Sequence, residues 1–367
     1  MASGPGPIRI RRAQVAEVDG RRLGSAGRAL VVIVLALVFG LLLDARGLHR
    51  SAINDPAGWQ RTVWLDFTGP LAGVSGAIGF EKPREWVKEA LGRSSDDSID
   101  TTVAVPAPPP RSATPRPVLE THAAVPGDPS VKRRAFTPSD PLRLWVAGDS
   151  LVIEPGYALQ RAALATPVIK TVGGVDGHIA TGLDRPDVFN WFLEIRHELK
   201  VLKPNAVVLS FGGNDDKAYM TGVPPGVEIS AFDDPVWRRE YGRRVGGLID
   251  LINRAGAYVV WLGLPITDDR GQSARFDQIN SVIDQQVEER PGGAVYLDTY
   301  SLFAGPNGGY AEYLEDLAGN MVDVRAPDGV HLAPAGADIV ARQVLKDLNV
   351  AYDLTSWRRR TAAAVTK

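Results

Sequence analysis

The chain has 367 residues, of which 44% are apolar, with a net charge of -2 and no cysteine. That length allows about two domains, and the charge balance offers no general attraction to nucleic acid. Without cysteine there is no disulfide framework, thiolate zinc site, cysteine nucleophile or bacterial lipoprotein anchor, although no redox compartment follows from this.

Near the N-terminus, Ala29 to Leu43 reads ALVVIVLALVFGLLL, an uninterrupted apolar run between Arg28 and Asp44. As a helix it rises about 22 Å, short of the roughly 30 Å hydrocarbon core of a bilayer. Leu23 to Gly27 extends it if Arg28 snorkels to the interface. Arg9, Arg11, Arg12, Arg21, Arg22 and Arg28 precede the run, against Glu17 and Asp19. The positive-inside rule then makes 1–28 a cytoplasmic basic tail, 29–44 a transmembrane anchor and the remainder extracytoplasmic, in a single-pass membrane protein. A cleaved signal peptide and a buried soluble helix are the alternatives, but no clear small-x-small cleavage site follows.

Residues 45–92 carry Trp59, Trp64, Phe67, Phe80 and Trp86 among other apolar residues. They suit either amphipathic helices at the membrane or two short helices packed on each other. Residues 93–140 are rich in Pro, Ser, Thr and Ala, a composition that reads as an extended spacer.

From residue 141 to 352 the pattern alternates strand and helix. Apolar runs at Leu142–Ala147, Ala206–Phe211, Ala257–Leu262 and Ala294–Leu297 predict strands, with a fifth around Val168–Ile179. Runs of this kind suit a parallel sheet covered on both faces. Between them, Val188, Phe192, Ile195 and Leu199 share a helical face, as do Tyr241, Val245, Leu248 and Ile252, and Phe276, Ile279, Ile283 and Val287. A last helix is predicted from Pro334, and 353–367 reads as a tail. The expected architecture is a three-layer α/β/α domain with its ligand site at the carboxyl ends of the strands.

Polar residues gather at those ends: Gly148-Asp149-Ser150-Leu151, Gly212-Gly213-Asn214-Asp215 and Asp328-Gly329-Val330-His331. Each alone is an ordinary turn or cap. Together, and in this order, they resemble three conserved blocks of the SGNH (GDSL-type) hydrolase superfamily. The resemblance covers 142 to about 349 and implies a flavodoxin-like fold with a five-stranded parallel sheet. It implies Ser150 as nucleophile, His331 as general base and Asp328 as its orienting acid. The implied oxyanion hole is the backbone N–H of Ser150 and of a block-two glycine, with the Asn214 side chain. Gly173, Gly174, Gly177 and Gly182 compete for that glycine; Gly182 is favoured and Gly174 comes next. A serine hydroxyl needs an adjacent base, a base needs a tautomer-fixing partner, and the tetrahedral intermediate needs donors at its oxyanion. Asp149 and Asp215 are expected to brace the loops, and His178 to be structural. The chemistry requires no cofactor or metal.

The expected function is an extracytoplasmic serine esterase acting on an O-acyl ester of an envelope glycan or lipid. The alternatives are an acyltransferase working with a membrane-bound O-acyltransferase, and a non-catalytic carbohydrate-binding protein on the same fold.

Overall fold

The computed structural model describes residues 26–43, 45, 48, 49, 52, 59–78, 101–106, 133–217, 219–316 and 318–358. Residues 1–25 of the expected basic tail, most of 79–132 and 359–367 lie outside the described residues. The chain divides into two compact units, Met1–Ser51 with Leu65–Ser95, and Ala52–Trp64 with Asp96–Lys367.

In the first unit, helix α1 spans Ala26–Leu43. Its aliphatic side chains face outward, Leu30 and Leu37 at 63% exposure among them. Helix α2 spans Trp59–Ile78, contains Pro70, and falls in this unit from Leu65 onward. Its Ser75 hydroxyl donates to the Leu42 carbonyl at 2.6 Å, and Thr68 Oγ1 lies 3.0 Å from His49 Nδ1. Among the described residues no helix is long and apolar enough to cross a membrane. The anchor expected over 29–44 coincides with α1, and residues 23–25, which would extend it, lie outside the described residues. Arg28 sits in the first turn of α1, and the apolar run behind it is about 22 Å long.

The second unit holds a five-stranded parallel sheet, as expected. Its strands are β1 (Leu142–Gly148), β2 (Ile169–Gly177), β3 (Ala206–Ser210), β4 (Tyr258–Leu262) and β5 (Ala294–Leu297), in the order β2-β1-β3-β4-β5. Alternation along the strands divides their side chains between two faces. Trp145, Ala147, Val207, Leu209, Val259 and Trp261 pack under helices α4 (Trp191–Leu202), α5 (Pro235–Arg254) and α6 (Arg270–Glu288). Leu144, Val146, Ala206, Val208, Val260 and Leu262 pack under α3 (Ile153–Leu164) and α8 (Pro334–Ala351), the last helix, which follows a short α7 (Thr299–Leu302). A hairpin of β6 (Tyr313–Glu315) and β7 (Met321–Asp323) precedes α8.

The helix starts are set by capping side chains. Asn190 accepts from the Phe192 and Leu193 N–H groups at the head of α4, and Asp234 accepts from Val236 and Trp237 at the head of α5. Such caps satisfy amide groups that the helix itself leaves unpaired. The Asn190 cap also explains why Val188, expected on the α4 face, lies outside the helix and is half exposed.

Two boundaries shift. Phe136 is fully buried, the Phe136 N–H donates to Asp353 O at 3.1 Å, and the Asp353 N–H donates to Arg134 O at 2.9 Å. Residues 133–140 and 353–358 therefore belong to the domain rather than to a spacer and a tail. Residues 101–106, expected as spacer, also dock on it. Asn190 Nδ2 donates to Thr102 O at 3.2 Å, and the Val105 side chain occupies the space that a Cβ on Gly247 would fill. These contacts use backbone carbonyls and a glycine notch, so a Pro-rich composition does not reveal them.

Phe136→Ala is expected to lower the stability of the second unit by about 3–5 kcal/mol, read by chemical denaturation. A change below about 1 kcal/mol would return 133–140 to the spacer.

Candidate active site

In the order 2-1-3-4-5 the chain reverses direction across the sheet between β1 and β3, so the loops after these strands diverge and leave a crevice at their carboxyl ends. Ser150 follows β1, and Asn214 follows β3. The two strands meet closely there: a Cβ on Gly148 would lie 2.1 Å from Ser210 O, which only glycine avoids.

Asp149 ties the two loops into one piece. Its Oδ1 accepts from Leu151 N–H at 2.9 Å, capping the 3-10 turn Ser150–Val152. Its Oδ2 accepts from Gly212 and Gly213 N–H at 3.0 and 2.9 Å. Complete burial pushes this carboxyl up to about 7, and the nearby Asp215 charge adds to the rise, while the three backbone donors pull it down.

Ser150, His331 and Asp328 form a hydrogen-bonded chain. Ser150 Oγ lies 2.8 Å from His331 Nε2, and His331 Nδ1 lies 2.6 Å from Asp328 Oδ2. The other Asp328 oxygen accepts from Val330 and His331 N–H, both at 3.0 Å. Burial alone would raise the Asp328 carboxyl, but these donors and the histidine ring hold it below the usual carboxylate range. It therefore stays ionised as pH falls into that range. A carboxylate only accepts, so Nδ1 carries the ring proton and Nε2 presents its lone pair to the serine O–H. The turn that delivers His331 needs Gly329, which sits at φ +69° with the Asp268 carboxyl where a Cβ would be.

Asn214 and Gly182 come together on the other side. Asn214 Nδ2 donates to Thr181 O at 2.9 Å. The residues after Gly182 are gripped from both sides. Asp215 accepts from the N–H groups of Leu183 (2.9 Å) and Asp184 (3.2 Å) and from the Tyr241 hydroxyl (2.8 Å). Arg244, fully buried on α5, donates to Leu183 O at 2.6 Å and Thr221 O at 2.7 Å and pairs with Glu240 at 2.8 Å. Burial, with the Asp215 charge beside it, pushes the Asp184 carboxyl well above its ordinary value.

Gly174 is not part of this arrangement. It lies within β2, at φ +74° and with open space around it, upstream of Gly177, which is level with Gly148. The loop-bracing roles expected of Asp149 and Asp215 are met. His178 stacks on Phe189 with ring centroids 3.9 Å apart and bonds Asp176 at 3.0 Å, a packed position. Arg244 was missed. Its signal was an arginine adjoining the apolar Tyr241, Val245 and Leu248 stripe of α5.

Gly182→Ala places a Cβ 1.9 Å from Asp215 Oδ1. It is expected to destabilise the domain by about 1–3 kcal/mol and to lower activity. Gly174→Ala meets no neighbour and should cost about 1 kcal/mol from backbone strain alone, leaving turnover intact. Melting temperature and rate, measured for both variants, check the assignment; equal losses of turnover would overturn it.

The structure has the sheet order that the SGNH resemblance implies, and it brings the three sequence blocks to one crevice. Solved structures similar to it include a GDSL-like lipase from Bacteroides thetaiotaomicron, at 14% identity over 57% of this chain and 88% of that one, with a TM-score of 0.40. Another is a catalytic mutant of an acetylxylan esterase from Geobacillus stearothermophilus, at 19% identity over 58% and 95%, TM-score 0.39. A third is a psychrotrophic esterase from Pseudoalteromonas sp., at 13% identity over 56% and 96%, TM-score 0.38. No curated protein matches the sequence. A family model described as a protein of unknown function, DUF459, matches residues 143–347, more than half of the chain. The chain belongs to the DUF459 family.

Proposed function

We propose that the protein is a serine esterase of the SGNH type that cleaves an O-acyl ester through an acyl-enzyme on Ser150. The observation that carries this reading is the unbroken chain from Asp328 through His331 to Ser150, with contacts of 2.6 and 2.8 Å.

His331 Nε2 takes the Ser150 proton as Oγ attacks the ester carbonyl carbon. Asp328, ionised and bonded to Nδ1, stabilises the imidazolium that forms. The carbonyl oxygen becomes an oxyanion, for which the Ser150 and Gly182 N–H groups and the Asn214 amide are the donors. Collapse breaks the bond to the alcohol oxygen, which leaves with the proton from Nε2. Water then repeats the sequence on the acyl-enzyme, with His331 as base, releasing the acid and restoring Ser150.

Ser150→Ala should abolish hydrolysis of activated esters without lowering the melting temperature. Asn214→Ala should slow it by about 10²–10³-fold. Retention of more than a few per cent of the rate in Ser150→Ala would remove the serine mechanism.

The same proposal places the protein at the bacterial membrane, with its catalytic unit on the outer side and an envelope glycan or lipid ester as substrate. The apolar surface of α1 and the arginines before it support this location, since an exposed aliphatic surface of this kind seeks an apolar environment. Alkaline carbonate should fail to extract the full chain from membranes and should extract a chain lacking 26–43. Release of both would place the protein elsewhere.

A further inference from the structure

Ser150 opens onto a cavity of about 620 Å³, within the range that encloses a small organic ligand. Its wall is asymmetric. Ile153 and Glu154 at the head of α3 form one side, Ile179 the rim, and the stretch from Asp323 to Pro334 the rest. That stretch is the one that carries Asp328 and His331. Gly182 and Asn214 do not line the cavity.

Ile153, Ile179, Pro327, Leu332 and Pro334 form the aliphatic part of the lining. Ile179 is 75% exposed, so a large aliphatic side chain is held at the rim where the protein itself does not cover it. The charge is one-sided. Glu154 and Asp323 are acceptors, and Asp323 already bonds the Arg325 N–H at 3.0 Å. Among the described residues Arg325 is the one arginine or lysine in the wall, and its Nη atoms donate inward, to Ile266 O at 2.5 Å and Val330 O at 3.3 Å. Its guanidinium lies against the Phe303 and Tyr310 rings, 5.1 and 5.4 Å from their centroids. The guanidinium is only 2% exposed and its partnerless Nε–H is itself buried, so an anion in the cavity would face the Glu154 and Asp323 carboxylates beside an aliphatic surface.

His331 Nε2 must hand its proton to the departing alcohol oxygen, so the alcohol half of the ester lies against the histidine-bearing stretch. The oxyanion donors Gly182 and Asn214 are absent from the cavity wall. We infer that this cavity receives the alcohol half of the substrate, and that this half is an uncharged aliphatic chain of several carbons. The inference rests on Ser150 acting as the esterase nucleophile, and of the substrates proposed above it selects a lipid ester over a glycan. Each methylene taken from water into such a wall strengthens transition-state binding about fourfold when fully buried, so chain length should be legible in kcat/KM.

The test holds the acyl group constant as acetyl and varies the alcohol through ethyl, butyl and hexyl acetate, with acetate release measured on the full chain. The kcat/KM for hexyl acetate should exceed that for ethyl acetate by about 30-fold or more. In Ile179→Asp, a substitution at an exposed position whose folding is checked by melting temperature, that ratio should fall below about fivefold. The 6-acetoxyhexanoate anion should react about tenfold or more slowly than hexyl acetate. A flat or falling alcohol series, a wild-type ratio in Ile179→Asp, or equal rates for the anion would each overturn the inference. A steep dependence on acyl length, with p-nitrophenyl acetate through octanoate, beside a flat alcohol series would assign the cavity to the acid half and overturn it likewise. If no acetate ester turns over but a fluorophosphonate still labels Ser150, protection by 1-hexanol and not by ethanol supports the inference, and equal protection overturns it. Loss of both turnover and labelling would instead remove the esterase reading, and the inference with it.

Discussion

The site depends on one carboxylate bonded to three backbone amides. Asp149 links the turn that carries Ser150 to the glycine pair before Asn214, and it does so completely buried. A buried carboxyl without donors is costly, and three N–H groups aimed at its two oxygens offset that cost. The same bonds transmit position. β1 and β3 are neighbours because the sheet reverses its order between them, and Asp149 turns that adjacency into a fixed distance between Ser150 and the loop bearing Asn214. Without it, two divergent loops at the edge of a crevice would be free to separate.

A second clamp acts on the Gly182 segment. Asp215 takes its N–H groups while Arg244 takes the Leu183 carbonyl, so both kinds of backbone group are held by charged side chains of opposite sign. Both partners are buried, and both lead to α5, through the Tyr241 hydroxyl and through Arg244 itself. A helix far from Ser150 in sequence thereby sets where Gly182 and Asn214 stand. His331 arrives differently, on a turn whose shape depends on Gly329 and on Asp328 bonding two amides of its own loop. The acid is half exposed and held below the usual carboxylate range, so it accepts a ring proton from Nδ1.

The strands and the Ser150, Asn214 and His331 loops were legible because apolar runs ending in glycine and polar residues are local signals. The helix faces of α5 and α6 were legible for the same reason, through a period that α-helical geometry imposes. What escaped was non-local. Phe136 reads as a lone aromatic in a Pro- and Ser-rich stretch, and only its partnership with Asp353 places it in the core. Val188 fits the α4 period, but the Asn190 cap starts the helix after it. Arg244 looks like a surface arginine until the carbonyls of Leu183 and Thr221 are brought to it. The β6–β7 hairpin is too short to leave a periodic signal.

The central claim is that His331 activates Ser150. The most direct measurement is the rate and position of covalent labelling by a fluorophosphonate, followed by intact mass and peptide mapping, in the wild type and in His331→Ala. The account expects a single adduct on Ser150 in the wild type and a rate at least about 100-fold lower in the variant. An adduct on another residue, or a variant that labels as fast as the wild type, would contradict it.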